Sequence, residues 1–204
     1  MALKAVFFDV GETLIDEERW WRELCERSGL QPHVVWASLG VTIERGEEHG
    51  ALWTHLGIDR PPDWWSSLTY DPGDLYPDAL ACLEEIRALG LCVGIVGNQS
   101  AALDDWARQV GFPADVISSS ATLGAHKPDT RFFELVVELA GCAPAELAYV
   151  GDRVDNDVLP AAAAGLVAIH VRRGPWGRLQ PSPAQAALAV DDLASLPQAL
   201  ASLA

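Results

Sequence analysis

The chain has 204 residues, half of them apolar, and 29 acidic against 14 basic side chains leave a net charge of −15. That length suffices for one full core with a small insertion, and the charge disfavours nucleic acid or an anionic membrane as the main partner. Cysteines at 25, 82, 92 and 142 form no CxxC pair and read as reduced core thiols; no apolar run reaches the ~20 residues of a membrane helix and no basic-then-apolar leader precedes the first strand, the pattern of a cytoplasmic protein.

Leu3 to Phe8 is a short apolar run, the pattern of a strand buried on both faces, and it leads into Asp9 and then Gly11. From Asp16 the pattern turns helical, with Trp20, Trp21, Leu24 and Cys25 on one stripe, until Gly29 and Pro32 interrupt it. A second helix is expected from Pro32 to Gly46, presenting Val35, Leu39 and Thr42, and a third piece from His49 to Leu56. Pro61-Pro62 and Asp71-Pro72-Gly73 mark a loop-rich return toward Tyr76-Pro77. Six of the eight tryptophans fall between 16 and 76, which suggests a small helical unit with its own miniature core.

After Pro77 strands and helices alternate. Asp78 is placed to cap a helix that runs to Leu89, with Leu83 and Ile86 inward and Gly90 ending it. Leu91 to Val96 reads as a strand, Ala101 to Val110 as a helix with Leu103, Trp106 and Val110 on one stripe, and Val116-Ile117 as a short strand. A helix capped by Asp129 or Thr130 is expected to reach Ala140 with Phe132, Val136 and Leu139 inward. Then follow a strand at Leu147 to Val150, an alanine-rich helix over 155–164, a strand at Val167 to Val171, and a last unit of Ala187 to Val190 and Leu193 to Leu203. This order implies βαβ crossovers: a three-layer α/β/α, Rossmann-like core around a parallel sheet.

Four separated segments need one explanation: Phe8-Asp9-Val10-Gly11-Glu12-Thr13-Leu14, Val96-Gly97-Asn98, Lys127-Pro128-Asp129, and Val150-Gly151-Asp152 with Asp157. Their order, after strands or at a helix start, resembles the haloacid dehalogenase-like (HAD) hydrolase superfamily, in particular members with a small helical cap inserted after the first strand. The resemblance covers essentially the whole chain and implies a core of 1–15 plus 77–204 and a cap of 16–76. It implies that Asp9 is the nucleophile, Lys127 the lysine of the third motif, and Asp152 and Asp157 a metal-binding acidic pair. It also implies that Gly11 offers a backbone carbonyl to the metal, and that Gly97, Asn98 and Lys127 bind phosphate.

Elementary chemistry agrees with these roles. Phosphoryl transfer is mainly positioning and charge neutralisation, and a carboxylate nucleophile is repelled by a dianionic phosphate. Clustered Asp9, Asp152 and Asp157 make sense with a hard divalent cation, Mg²⁺ foremost, with Lys127 as a second positive charge. The implied cycle passes through an aspartyl-phosphate on Asp9 that water hydrolyses. Singly, each residue has a plainer reading: Asp9 as a turn former, Lys127 as a surface lysine, Asp157 as a helix-start charge. Jointly, those readings do not account for four segments in this order.

Two positions depart from the family pattern. The family's phosphatases usually carry a second aspartate two residues after the nucleophile as general acid and base; here that residue is Gly11. Loss of such a group typically costs ~10²–10⁴ in rate. Glu12 is expected to point elsewhere, leaving Asp16, Glu17, His49 or His55 as candidates to reach in. The Ser or Thr of the second motif is Gly97, and both glycines are expected to open room beside the nucleophile.

The favoured function is therefore Mg²⁺-dependent hydrolysis of a small phosphorylated substrate. One alternative is a catalytically impaired HAD-fold binding or regulatory protein; another is a dehalogenase, in which the acidic pair would have no job. A phosphonate hydrolase of the Schiff-base kind needs a cap lysine, and 16–76 contains none. A phosphoglucomutase is disfavoured by the missing acid/base residue. The cap tryptophans are expected mainly to fill the cap core, at least one of them facing the cleft, and a homodimer is compatible with them without being established. Arg153 is expected to form a surface ion pair, and Gly174-Pro175-Trp176-Gly177 a rigid loop.

Overall fold

The computed structural model describes residues 2–60, 69–201 and 203; Trp64 and Trp65 lie outside them. Six strands form one wholly parallel sheet: β1 (Ala5–Phe8), β2 (Cys92–Gly97), β3 (Val116–Ser119), β4 (Leu147–Gly151), β5 (Val167–Val171) and β6 (Leu188–Val190), in the order β3-β2-β1-β4-β5-β6. The central strand β1 has every residue buried because it pairs on both sides, Phe8 with Ile95 of β2 and with Val150 of β4. Period-two alternation then divides its side chains between two layers. Val6 and Phe8 join a core with Leu83, Ile86, Leu103 and Trp106, while Ala5 and Phe7 join one with Phe132, Phe133, Val136 and Tyr149.

Among the described residues, the first three α-helices, α1 (Glu18–Ser28), α2 (Pro32–Glu44) and α3 (Ala51–Leu56), lie between β1 and β2 in the chain. They enclose a separate cluster of Trp21, Leu24, Val35, Leu39, Leu52 and Trp53, joined from the other end of the chain by Trp176. Trp20 points instead into the main core. The remaining helices are α4 (Ala79–Ala88), α5 (Ala102–Val110), α6 (Ser120–Leu123), α7 (Thr130–Ala140), α8 (Leu159–Ala163), α9 (Gly174–Leu179) and α10 (Leu196–Ala201). None of the described helices is long and apolar enough to cross a membrane. All four cysteines are free thiols.

Several local expectations are corrected. Asp78 does not cap α4; its carboxylate takes Arg173 Nη1 and Nη2 at 3.1 and 2.7 Å and the Leu193 amide at 2.8 Å. Leu139 stays 39% exposed, because the buried stripe of α7 runs through Phe132, Phe133 and Val136 and so carries Ala140 rather than Leu139 inward. The expected helix over 155–164 begins as a π-helical turn, Val154–Val158, and α8 starts only at Leu159. Gly174 to Gly177 is not a loop but the first turn of α9, with Pro175 in the first turn.

Candidate active site

The chemically distinctive side chains sit where adjacent parallel strands end. β1 runs out into Asp9, whose amide donates to the Val150 carbonyl at 2.8 Å. β2 ends on Gly97, followed by Asn98, and β4 on Gly151, followed by Asp152. β1 and β4 flank the point where the strand order reverses, and open α/β sheets leave a crevice there.

Lys127 enters from the loop before α7. Its Nζ lies 2.6 Å from Asp9 Oδ1 and 2.5 Å from Asp157 Oδ1, and its side chain is 1% exposed. Asn98 holds this loop in place: the Lys127 amide donates to Asn98 Oδ1 at 2.8 Å, and Asn98 Nδ2 donates to the Lys127 carbonyl at 2.9 Å. The π-helical turn brings Asp157 beneath the ammonium, its second oxygen accepting the Arg153 amide at 2.9 Å.

Asp9, Asp152 and Asp157 each offer an oxygen, all within 4.8 Å of one another. The hydrogen bond at Asp152 runs through its backbone carbonyl, which accepts from His170 Nε2 at 3.0 Å; among the described residues no ion pair forms at its carboxylate, although Asp152 is buried. Burial, reinforced by the Asp157 and Asp9 charges, pushes the Asp152 carboxyl well above the ordinary range. Burial also raises Asp157, to about 6, against the pull of Lys127. For Lys127, burial opposes the charge, yet Asp157 and Asp9 outweigh it and hold the ammonium firmly protonated. A buried carboxylate with no ion-pair partner among the described residues, beside two more carboxylate oxygens, fits a hard divalent cation.

Asp9, Lys127 and Asp152, with Gly11 and Asn98, line a cavity of about 170 Å³. Glu12, Glu17, Glu48 and His49 complete it from the β1–α2–α3 side, and Gln99, Arg153, Asn156 and Trp176 from the strand ends and α9. Arg153 is buried rather than at the surface. Its guanidinium lies 3.8 Å over the Trp176 ring, pairs with Asp155 at 2.5 Å and reaches His49 Nδ1 at 2.9 Å. Burial and the adjacent Arg153 charge lower His49 to about 3, so its ring is neutral and accepts that hydrogen bond. Among the described residues the tryptophan on the cavity wall is Trp176, from the core; Trp21 and Trp53 are spent on the helical cluster.

The space beside Asp9 is not open at either glycine. A Cβ on Gly97 would stand 2.3 Å from Asp9 Oδ1, and one on Gly11 would stand 2.2 Å from Glu17 Oε1, so neighbouring carboxyl groups fill both positions. Burial first, then the Glu12 and Asp9 charges, raise Glu17 well above the usual carboxylate range. Glu12, raised to about 7 by burial, is held by the Tyr76 hydroxyl at 2.5 Å and accepts the Glu17 amide at 3.3 Å. Glu48, Gln99 and Asn156 are the wall residues that the sequence reading missed. Their adjacency to His49, Asn98 and Asp157 was the available signal.

Residues 3–165 match the model of the haloacid dehalogenase-like hydrolase family. The chain belongs to that family. Among curated relatives of this hydrolase, the glyceraldehyde 3-phosphate phosphatase of Methanopyrus kandleri is 27% identical over 88% of each chain. The sesquiterpene phosphatase astK of Aspergillus oryzae is 30% identical over 80% of this chain and 76% of its own. In the phosphoserine phosphatase of Thermus thermophilus the match is 35% identical but spans 49% of this hydrolase and 41% of the relative. Solved structures of the same fold include a HAD phosphatase from Thermococcus onnurineus, with a TM-score of 0.64 and 23% identity over 97% of this chain and 98% of that one. The L-2-haloacid dehalogenase of Xanthobacter autotrophicus superposes with a TM-score of 0.70 at 20% identity, over 99% and 100% of the two chains. At such identities the likeness to these structures shows the fold alone.

Proposed function

We propose that this hydrolase is a Mg²⁺-dependent phosphatase of a small phosphorylated metabolite, working through an aspartyl-phosphate on Asp9. The observation that carries the reading is the buried group of Asp9, Asp152 and Asp157, with the Lys127 ammonium between Asp9 and Asp157 and the Asp152 carboxylate left without an ion-pair partner among the described residues. A site built only for stability would not gather three buried carboxylates within 4.8 Å of one another with one lysine between two of them, since like charges in low dielectric repel strongly. The relatives named as phosphatases support the same class of substrate.

Asp152, Asp157, an Asp9 oxygen and the Gly11 carbonyl would hold the Mg²⁺, which supplies positive charge against the phosphate oxygens. The protein's own groups do the rest. Lys127 presents a permanent charge to the transferred group, Gly97 and Asn98 border it with backbone and amide groups, and Asp9 attacks phosphorus in line with the departing oxygen. Residues 16–76 serve as a cap whose inner side carries Glu48 and His49 to the cavity and limits entry of water. Dehalogenation has no use for the acidic group, so the resemblance to dehalogenase structures is one of scaffold.

The test is phosphate release from a panel of alkyl, aryl and acyl phosphates, with haloacids in parallel, in Mg²⁺ and in chelator. Metal-dependent release that Asp9→Asn abolishes without lowering the melting temperature supports the reading. Halide release without metal, or unchanged turnover by Asp9→Asn, would refute it; no turnover together with no Mg²⁺ binding would favour a binding protein.

A further inference from the structure

The position two residues beyond Asp9 has no side chain, yet a carboxyl group stands there. Glu17 Oε1 lies 2.2 Å from the point that a Cβ on Gly11 would occupy, and the Glu17 carboxyl carbon lies 3.1 Å from it. The chain achieves this by folding back on itself. The amides of Leu14 and Ile15 both donate to the Val10 carbonyl, at 2.8 and 3.0 Å, and Gly11 bridges to Ile15, so the residue ahead of α1 returns over Gly11.

The Glu17 carboxyl group is free of the usual structural duty of its position. It precedes α1 but caps no amide of that helix among the described residues; the Trp21 indole N–H donates to it, and it lines the cavity with Asp9. The other candidates are committed elsewhere. Asp16 accepts the Glu18 amide at 2.8 Å and Glu12 is held by Tyr76. His55 pairs with Glu47 at 2.5 Å, and His49 Nδ1 is turned to Arg153.

We propose that Glu17 is the proton-transferring group of this hydrolase, held in place by Trp21, an inference that rests on Asp9 acting as the nucleophile. As the bond from the Asp9 oxygen to phosphorus forms and the ester P–O bond breaks, the electron pair goes to the leaving oxygen. That oxygen takes the Glu17 proton and departs as an alcohol. Water then adds to phosphorus and gives a proton to the Glu17 carboxylate, while the phosphorus–Asp9 bond breaks and orthophosphate leaves. Glu17 thus ends the cycle protonated, as it began.

The experiment compares wild type and Glu17→Gln on glycerol 3-phosphate and on 4-nitrophenyl phosphate, whose leaving group departs unprotonated. For Glu17→Gln, kcat on the alkyl ester is expected to fall ~10²–10⁴-fold with KM little changed. On the aryl ester the variant is expected to release about one nitrophenolate per active site in a burst and then turn over slowly, because water attack on the phosphorylated Asp9 lacks its base. Wild-type kcat on glycerol 3-phosphate by the variant, or an equal loss on both esters with no burst, would overturn the proposal. If Glu17→Gln does not fold, the pair Glu17→Ala and Glu17→Ala/Gly11→Asp decides: recovery of at least tenfold by the second is expected, and none overturns it. A wild type that is inert on both esters fails differently, refuting the phosphatase reading itself and this step with it.

Discussion

Asp9 Oδ1 lies 2.3 Å from the place where a side chain on Gly97 would begin. Asp9 therefore rests in the volume that the family's Ser or Thr would take, and in that position it contacts Lys127 at 2.6 Å. The two residues are coupled: a larger residue at 97 must displace Asp9. Gly97→Ser is accordingly expected to lower stability in chelator by ~1–3 kcal/mol, the usual cost of overfilling a packed site. Urea unfolding checks this, and Gly97→Ala should behave alike, because the Cβ and not the hydroxyl causes the clash.

Asp152 is a buried carboxylate repelled by Asp157 and Asp9. A divalent cation that binds only the folded state should stabilise it by about 2.7 kcal/mol at a hundredfold excess over Kd, roughly 5–10 °C in Tm for a chain of this size. Thermal melting with Mg²⁺ added to the chelator-treated protein measures the shift, and Asp152→Asn should abolish most of it.

Lys127 stands alone between Asp9 and Asp157, with 1% of its side chain exposed. Replacing it by Met leaves two buried carboxylates uncompensated, a change that typically costs ~3–5 kcal/mol. Lys127→Met should show that loss by urea unfolding in chelator and recover part of it in Mg²⁺, while phosphate release stays absent.

His49 is lowered to about 3 by burial and by Arg153, from an ordinary value of 6.5. A depressed histidine is neutral when folded and charged when unfolded, so its contribution is fully present above pH 6.5 and is lost progressively as pH falls toward 3. The buried carboxyls that are raised, Glu12, Glu17, Asp152 and Asp157, act in the opposite sense. The melting temperature of His49→Gln relative to wild type should therefore improve steadily from pH 7 to pH 4.5; a constant difference would show that His49 is not buried neutral.

Much of this molecule is legible in one dimension. Strand runs ending in Asp9 and in Gly151-Asp152 announce a parallel sheet with acids at its carboxyl edge, because a buried strand must stay apolar until it reaches a turn. The tryptophans between 16 and 76 announce a second, smaller cluster. At two of the corrected positions the competing partner came from far along the chain. Asp78 looks like a helix cap, but Arg173 outbids the helix amides for its carboxylate. Arg153 looks like a surface residue, but Trp176 covers its guanidinium and His49 accepts from it.

Residue order alone determined the sheet, since strand periodicity and strand ends are local properties of a chain, and the resemblance of four segments to a known family singled out the acids and the lysine. It left Gly11 and Gly97 as apparent gaps. Tertiary structure decided what fills them, the carboxyl groups of Glu17 and Asp9, because the occupancy of a volume a few ångströms wide depends on how a loop turns back and which side chain arrives there.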